Sequence, residues 1–536
     1  MNDWWKEAVI YQIYPRSFMD TSGNGIGDLQ GISKKLKYVA DLGVDAIWLS
    51  PFFVSPMKDM GYDVSDYKMI DPLFGDMKDF DNLISIAHRN NLKVIIDQVL
   101  SHSSDQHAAF IESKKNKKND MSDWYVWAEA SEDGSPPNNW LSVFGGSAWE
   151  WDSGREQYYF HNFLPSQPDF NFHNEEVQYF LLDVVKFWLE KGVDGFRLDT
   201  VNYYFHDKKL RDNPKSPYKF KEPPVNPYYT QNQVFAINQD ENLNFLSKFR
   251  TLLDSYPEKT SVGEIGDSHR AIEIMQSYTS NSRLHMAYSF ELLGKNFSPT
   301  HIKKTIETFY NDEQTDSWPC WSFSNHDVER HLSRWDIGES DEFAKLSCAL
   351  LLSLRGTPCL YQGEELGQVE TELEYHEIVD PPGIRFWPKN KGRDGCRTPM
   401  VWNHDLDNAG FSQSMPWLPV KDRQRNKSVN LQLKNNNSVL SFYKKFISFR
   451  KNNLAILKGD QVFLQDDDVL IFKRSYGVNE AICIFNFNDD RHIIKNYIVD
   501  EGHQIGISHN SKLLNNNIEL NRYGFMIITI ENQHKE

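Results

Sequence analysis

Cysteine is scarce in this 536-residue chain: Cys320, Cys348, Cys359, Cys396 and Cys483 are scattered, odd in number and without Cys-x-x-Cys spacing. Such a set excludes a disulfide framework and a zinc-thiolate site, and reads as reduced thiols in or near the core. Long apolar runs are also absent. The stretch 346–354 is the nearest approach, and it falls far short of the roughly 20 residues that cross a bilayer. Residues 1–7 lack the basic-then-apolar layout of a signal peptide, so the expected location is cytoplasmic, with no membrane partner. Basic residues are outnumbered, 58 Lys and Arg against 75 Asp and Glu, which leaves a formal net charge of −17. A field of that sign opposes nucleic acid and anionic surfaces, and a small neutral substrate fits it best.

What is present is ordinary globular composition, 40% hydrophobic and 25% charged, so disorder is not expected. Aromatics are plentiful, with 15 Trp, 24 Tyr and 34 Phe. They serve a large core or flat walls that stack against sugar rings. Short apolar segments at 9–14, 44–49, 93–99, 193–199, 261–264, 285–290, 319–323 and 357–361 read as strands. Helical periodicity falls between them at 32–41, 80–90, 175–190, 242–253, 271–278, 302–310 and 342–354. Eight strands alternating with helices predict an α/β fold, a (β/α)8 TIM barrel. A doubly wound sheet would want a glycine-rich phosphate turn after the first strand, and that turn is missing.

Three connections are too long for plain loops. The predicted organisation is a first barrel segment at 1–102, an inserted subdomain at 103–172, a second barrel segment at 173–458 and a C-terminal antiparallel β domain at 459–536. The connection 203–240 is a candidate lid or pocket wall, and 362–429 is rich in Gly, Pro and Arg.

The chemistry gathers at strand ends. In Gly195-Phe196-Arg197-Leu198-Asp199-Thr200, the i and i+2 positions face together, so Arg197 and Asp199 share one side of a strand just where it ends. Alone the pair reads equally as a structural ion pair or a site. Reading the other ends adds Asp97 and His102, Glu264, and His326 with Asp327. Barrel active sites lie at the C-terminal ends of the strands. Converging carboxylates suit metal-assisted hydrolysis or glycoside transfer, and the histidines are too few and poorly spaced for the first. Glycoside chemistry needs one carboxylate ionised and one protonated. Arg197 would keep Asp199 charged, and the apolar setting Val262-Gly263-Glu264-Ile265 would keep Glu264 protonated.

These residues resemble the α-amylase family, glycoside hydrolase family 13, over nearly the whole chain. Asp97-Gln98-Val99-Leu100-Ser101-His102, Gly195–Thr200, Gly263-Glu264 and Phe323-Ser324-Asn325-His326-Asp327 are similar to its four conserved regions. Gln167-Pro168-Asp169-Phe170-Asn171 and Arg397-Thr398-Pro399-Met400-Val401-Trp402 resemble motifs of the oligo-1,6-glucosidase and α-glucosidase branch. The resemblance implies Asp199 as nucleophile, Glu264 as acid/base and Asp327 as transition-state stabiliser. It implies that His102 and His326 hold glucose hydroxyls, that Arg197 orients the nucleophile and that Tyr62 stacks under the sugar. Asp59 and Arg397 match the pair that closes an exo-acting pocket, Phe144 and Phe163 stand at its aromatic walls, and Gln167 belongs to the branch motif.

Ser101 stands where many relatives have asparagine, and Val401 replaces the usual glutamine. Thr200 goes with α-1,4 rather than α-1,6 linkages in the branch, so maltose-like substrates are expected, with transfer of glucose to alcohols a further expectation. The loop 20–28 offers Asp20, Ser22, Asn24, Ile26 and Asp28 at alternate positions, a pattern that suits a hard cation. It resembles the branch's structural Ca²⁺ or Mg²⁺ loop with fewer charges. No organic cofactor is implied, and a monomer or homodimer is expected.

Overall fold

The computed structural model describes residues 3–311, 316–335, 339–464, 468–495 and 502–531. Eight parallel strands form the central sheet: β1 Ile10–Ile13, β2 Ala46–Leu49, β3 Lys93–Gln98, β4 Gly195–Leu198, β5 Thr260–Ile265, β6 Met286–Ser289, β7 Cys320–Trp321 and β8 Thr357–Tyr361. Each pairs with its neighbours in sequence, β8 returns to β1, and the bridge Ala287↔Pro319 joins β6 to β7. The ring is therefore a (β/α)8 barrel.

Alternation along the strands divides the core in two. Ile10, Trp48, Ile95, Val262, Tyr288, Cys320 and Cys359 fill the barrel's interior. Tyr11, Ile47, Ile96, Phe196 and Leu198 face outward into the larger layer under the helices. The expected helices are found with one to three more residues at several ends. The stretch expected at 80–90 is Met77–Arg89, because its first turn is polar and is held by a capping box from Asp76 and Asp79. All five cysteines are free and buried.

The insertion between β3 and β4 carries the helix Ala108–Ser113 and a small sheet of Trp127–Ala128, Trp149–Asp152 and Gln157–Phe160. After the barrel, the helix Val439–Asn452 leads into an antiparallel sheet that starts at Asp460. Its two longest strands, His503–Leu514 and Asn517–Glu531, meet at Asn515 and Asn516, both with positive φ. That is the backbone a tight hairpin turn requires. No described helix is long and apolar enough to cross a membrane.

Candidate active site

Position i+2 along β4 turns Arg197 inward, and its guanidinium is wholly buried. Asp97 is its register partner on β3, and the Arg197 Nη1 donates to Asp97 Oδ1 and Oδ2 at 2.8 and 3.0 Å. The same nitrogen donates to Asp199 Oδ1 at 2.6 Å. The Nη2 pairs with Glu264 Oε2 at 2.6 Å and donates to the Tyr288 hydroxyl at 2.9 Å. Tyr288, opposite Glu264 in the β5–β6 register, donates to Glu264 Oε1 at 2.9 Å. One cation thus holds three carboxylates from three strands. Asp97 also accepts from the Trp48 indole and the Tyr62 hydroxyl, and it is sealed under the arginine.

Burial sets the electrostatics. It pushes Asp199 up to about 7 against the pull of Arg197, and Glu264 likewise to about 7 against the same arginine. Asp97 and Asp327 add to the rise at Asp199, and Asp199 and Asp327 add to the rise at Glu264. Burial opposes charge on Asp327 too, but the guanidiniums of Arg393, Arg397 and Arg197 outweigh it and hold its carboxyl well below the usual range. Burial lowers His102 to about 4 and His326 well below the ordinary imidazole value, so both are neutral.

Thr200 has φ 38° and ψ 51°, a left-handed backbone that a β-branched residue seldom adopts. The turn aims its N–H at Glu264 Oε2, 3.0 Å away, and its hydroxyl at Asp199 Oδ2, 3.1 Å away.

A cleft of about 1090 Å³ opens over these groups. Of the residues expected from sequence, Asp59, Tyr62, His102, Phe144, Phe163, Asp199, Thr200, Glu264 and Asp327 line it. Arg197, Gln167, His326 and Arg397 stand behind that lining. His326 spends its ring nitrogens on Gln12 and Tyr62 and stacks on the Tyr62 ring at 5.2 Å. Gln167 donates to Asp59 Oδ2 at 3.0 Å. Phe144 and Phe163 meet edge to face at 5.4 Å. The connection 203–240 lines the cleft through Tyr218, Phe220, Val225 and Tyr229.

Asp59 takes Arg393 as its ion-pair partner, with Nη2 on Asp59 Oδ1 at 2.7 Å, and Arg393 also reaches Asp380 and Asp327. Arg397 instead donates to the His326 carbonyl at 2.7 Å and to Asp327 Oδ1 at 3.1 Å. The 3-10 turn Asp394–Cys396 lies between the two arginines and brings both to Asp327. Sequence reasoning missed Arg393 and Asp380. The charged Gly392-Arg393-Asp394 run just before the recognised motif was the available signal.

The expected cation loop spends its oxygens internally. Asp20 Oδ1 accepts from Ser22 Oγ and Gly23 N–H, and Asp20 Oδ2 from Gly25 N–H and Ser412 Oγ. Asp28 caps the helix Leu29–Leu42 through Gly31 N–H and accepts from Thr21 and from Ser22 N–H. Asn24 Oδ1 accepts from Ile26 N–H. The carboxylate oxygens of Asp20 and Asp28 are thus all met by donors within the protein, an arrangement that favours a self-bonded turn over a Ca²⁺ or Mg²⁺ site. Among the described residues no group of three or more His, Cys, Asp or Glu could hold a metal ion.

A barrel with a buried, arginine-held carboxylate cluster at its C-terminal mouth, walled by aromatics, defines a glycoside hydrolase. The chain belongs to the α-amylase family, glycoside hydrolase family 13: residues 12–459 match the α-amylase catalytic domain. It is 53% identical over 497 residues to a probable alpha-glucosidase of Rhizobium meliloti (strain 1021), covering 91% of this chain and 90% of that one. An oligo-1,6-glucosidase of Parageobacillus thermoglucosidasius is 37% identical over 551 residues, 94% of this chain and 96% of its own. Among solved structures, the alpha-glucosyl transfer enzyme XgtA superposes with a TM-score of 0.95 at 47% identity, covering 99% of this chain and all of its own. The protein is an enzyme of the alpha-glucosidase and oligo-1,6-glucosidase group.

Proposed function

We propose that the chain is a retaining, exo-acting α-glucosidase that removes terminal α-1,4-linked glucose from maltose and short oligosaccharides and passes part of that glucose to alcohols. The carrying observation is the single Arg197 guanidinium that contacts Asp199 through one nitrogen and Glu264 through the other. A fork of that kind keeps two carboxyls side by side, which favours the short separation of retaining enzymes over the wider gap that an inverting enzyme needs for its water.

Asp199, ionised, attacks the anomeric carbon while Glu264 gives its proton to the departing glycosidic oxygen. The glucosyl ester on Asp199 is then cleaved by water or an alcohol, whose proton returns to Glu264. Asp327, held charged, faces the positive charge that develops on the sugar ring. Asp59 with Arg393 closes the far end of the pocket, so attack stops at terminal glucose. Thr200 supports the α-1,4 preference. The names of the Rhizobium relative and of XgtA agree with hydrolysis and transfer respectively. Lys208 and Lys209 do not line the cleft, whereas Lys295, Lys389 and Lys391 do, the last paired with Glu372 at 2.8 Å, so a phosphorylated substrate belongs in the test.

The test compares kcat/KM for maltose, maltotriose, isomaltose, sucrose, trehalose and trehalose-6-phosphate, together with D199N on p-nitrophenyl α-glucoside. Maltose should lead and D199N should lose at least about 10³-fold. Isomaltose ahead of maltose refutes the linkage reading, and an active D199N refutes the mechanism.

A further inference from the structure

Ser101 and Thr200 touch each other. Their hydroxyl oxygens lie 3.1 Å apart. Beyond Ser101 stands His102 Nδ1 at 2.8 Å, and beyond Thr200 stands Asp199 Oδ2 at 3.1 Å. We propose that Ser101 is a positioning residue for the nucleophile, relaying a hydrogen bond from His102 through Thr200 to Asp199. The inference rests on the double-displacement reading above, in which Asp199 attacks as an anion.

Proton counting sets the direction. An ionised carboxylate only accepts, and each hydroxyl has one proton to give. Thr200 therefore donates to Asp199, Ser101 donates to Thr200, and the Nδ1–H of His102 donates to Ser101. His102 Nε2 is left as an acceptor, and Gln167 Nε2 stands 3.1 Å from it. The Gln167 amide is fixed in that sense, because its Oε1 accepts from Leu164 N–H at 3.0 Å while its nitrogen donates to Asp59 at 3.0 Å. The other tautomer would give the Nε2 proton to the Tyr62 carbonyl at 3.0 Å. It would then leave the Ser101–Thr200 contact with no proton. While Asp199 is charged, only the first arrangement fills the Ser101–Thr200 contact; in the second, Gln167 Nε2 turns to the Tyr62 carbonyl at 3.5 Å instead. A neutral Asp199 fills that contact in either tautomer.

A chain of aligned donors strengthens its last member, so Ser101 makes Thr200 a better donor and favours the charged form of Asp199. The groups facing Asp199 are Arg197 on its own strand, Asp97 on β3, Glu264 on β5 and Asp327 after β7. Tyr62 and Tyr204 face it from loops and Tyr67 from the short strand Asp66–Ile70. Ser101 Oγ hydrogen-bonds to none of these, only to His102 and Thr200.

The experiment is the pH profile of kcat/KM on p-nitrophenyl α-glucoside for the parent, S101A, T200V and the double variant. T200V should move the acid limb up by about one pH unit. S101A should move it up by about 0.3 unit, and this shift should vanish in the T200V background. S101C, which keeps bulk but donates weakly, should repeat S101A and guards against a folding artefact. An S101A shift of equal size in both backgrounds, a downward shift, or none at all would overturn the relay. D199N separates the two levels: if it stays active the underlying mechanism fails, whereas failed coupling with an inactive D199N removes the relay alone.

Discussion

Arg393 gathers as many carboxylates at the pocket as Arg197 does. Its guanidinium touches Asp59, Asp327 and Asp380, and it lies over the Phe144 ring at 4.9 Å. Three carboxylates around one planar cation need its fork of donors, which the point charge of lysine cannot copy. R393K should therefore lower kcat/KM for maltose by tenfold or more, about 1.4 kcal/mol of transition-state binding, with thermal stability nearly kept. Parent-like kinetics in R393K would show that the three carboxylates need no shared guanidinium. The contrast with Arg197 shows where sequence reading works at this scale. Arg197 and Asp199 were legible because strand periodicity fixes which way each side chain points. Arg393 lies in the connection 362–429, where no period fixes a direction, and only its distant partners Asp59 and Asp327 reveal its role.

Elements were legible where one face is buried and the other wet. The helix Glu175–Glu190 begins and ends where its periodicity does, with Asn174 as its side-chain cap. The strand His503–Leu514 carries no alternation that would mark it, because its residues are nearly all partly or fully exposed, with Ile507 alone buried. The loop 20–28 shows the converse, a pattern that suits two structures. Alternating oxygen residues serve a cation or a self-bonded turn, and here Ser412 reaches Asp20 Oδ2 at 2.6 Å to complete the second. EDTA should accordingly leave the melting temperature unchanged within about 1 °C, since removing a bound ligand lowers it and removing none does not. A fall of several degrees, restored by Ca²⁺ or Mg²⁺, would establish a cation there after all. S412A should destabilise by about 1 kcal/mol, because Asp20 loses a donor to a buried oxygen.

At the scale of the whole molecule, the −17 formal charge overstates what the folded chain carries at neutral pH. Burial pushes Asp169, Glu364 and Glu370 each up to about 8, so these acids hold protons that the unfolded chain would have released. The folded state then binds more protons than the unfolded one between about pH 4 and 8, and stability falls as pH rises through that window. Buried histidines act in the opposite sense. His102, His107 and His161 are lowered to about 4 by burial, so the stability they contribute is complete above about 6.5 and lost as pH falls toward 4. Below about pH 6.5 the two sets oppose each other. Above about pH 7 only the carboxyls remain, each contributing a slope of at most about 1.4 kcal/mol per pH unit. The melting temperature should therefore drop steadily between about pH 7 and 8.5. E364Q, which keeps the shape and removes the titration, should flatten that drop, and a flat or rising parent curve over the same range would refute the assignment of buried, protonated acids.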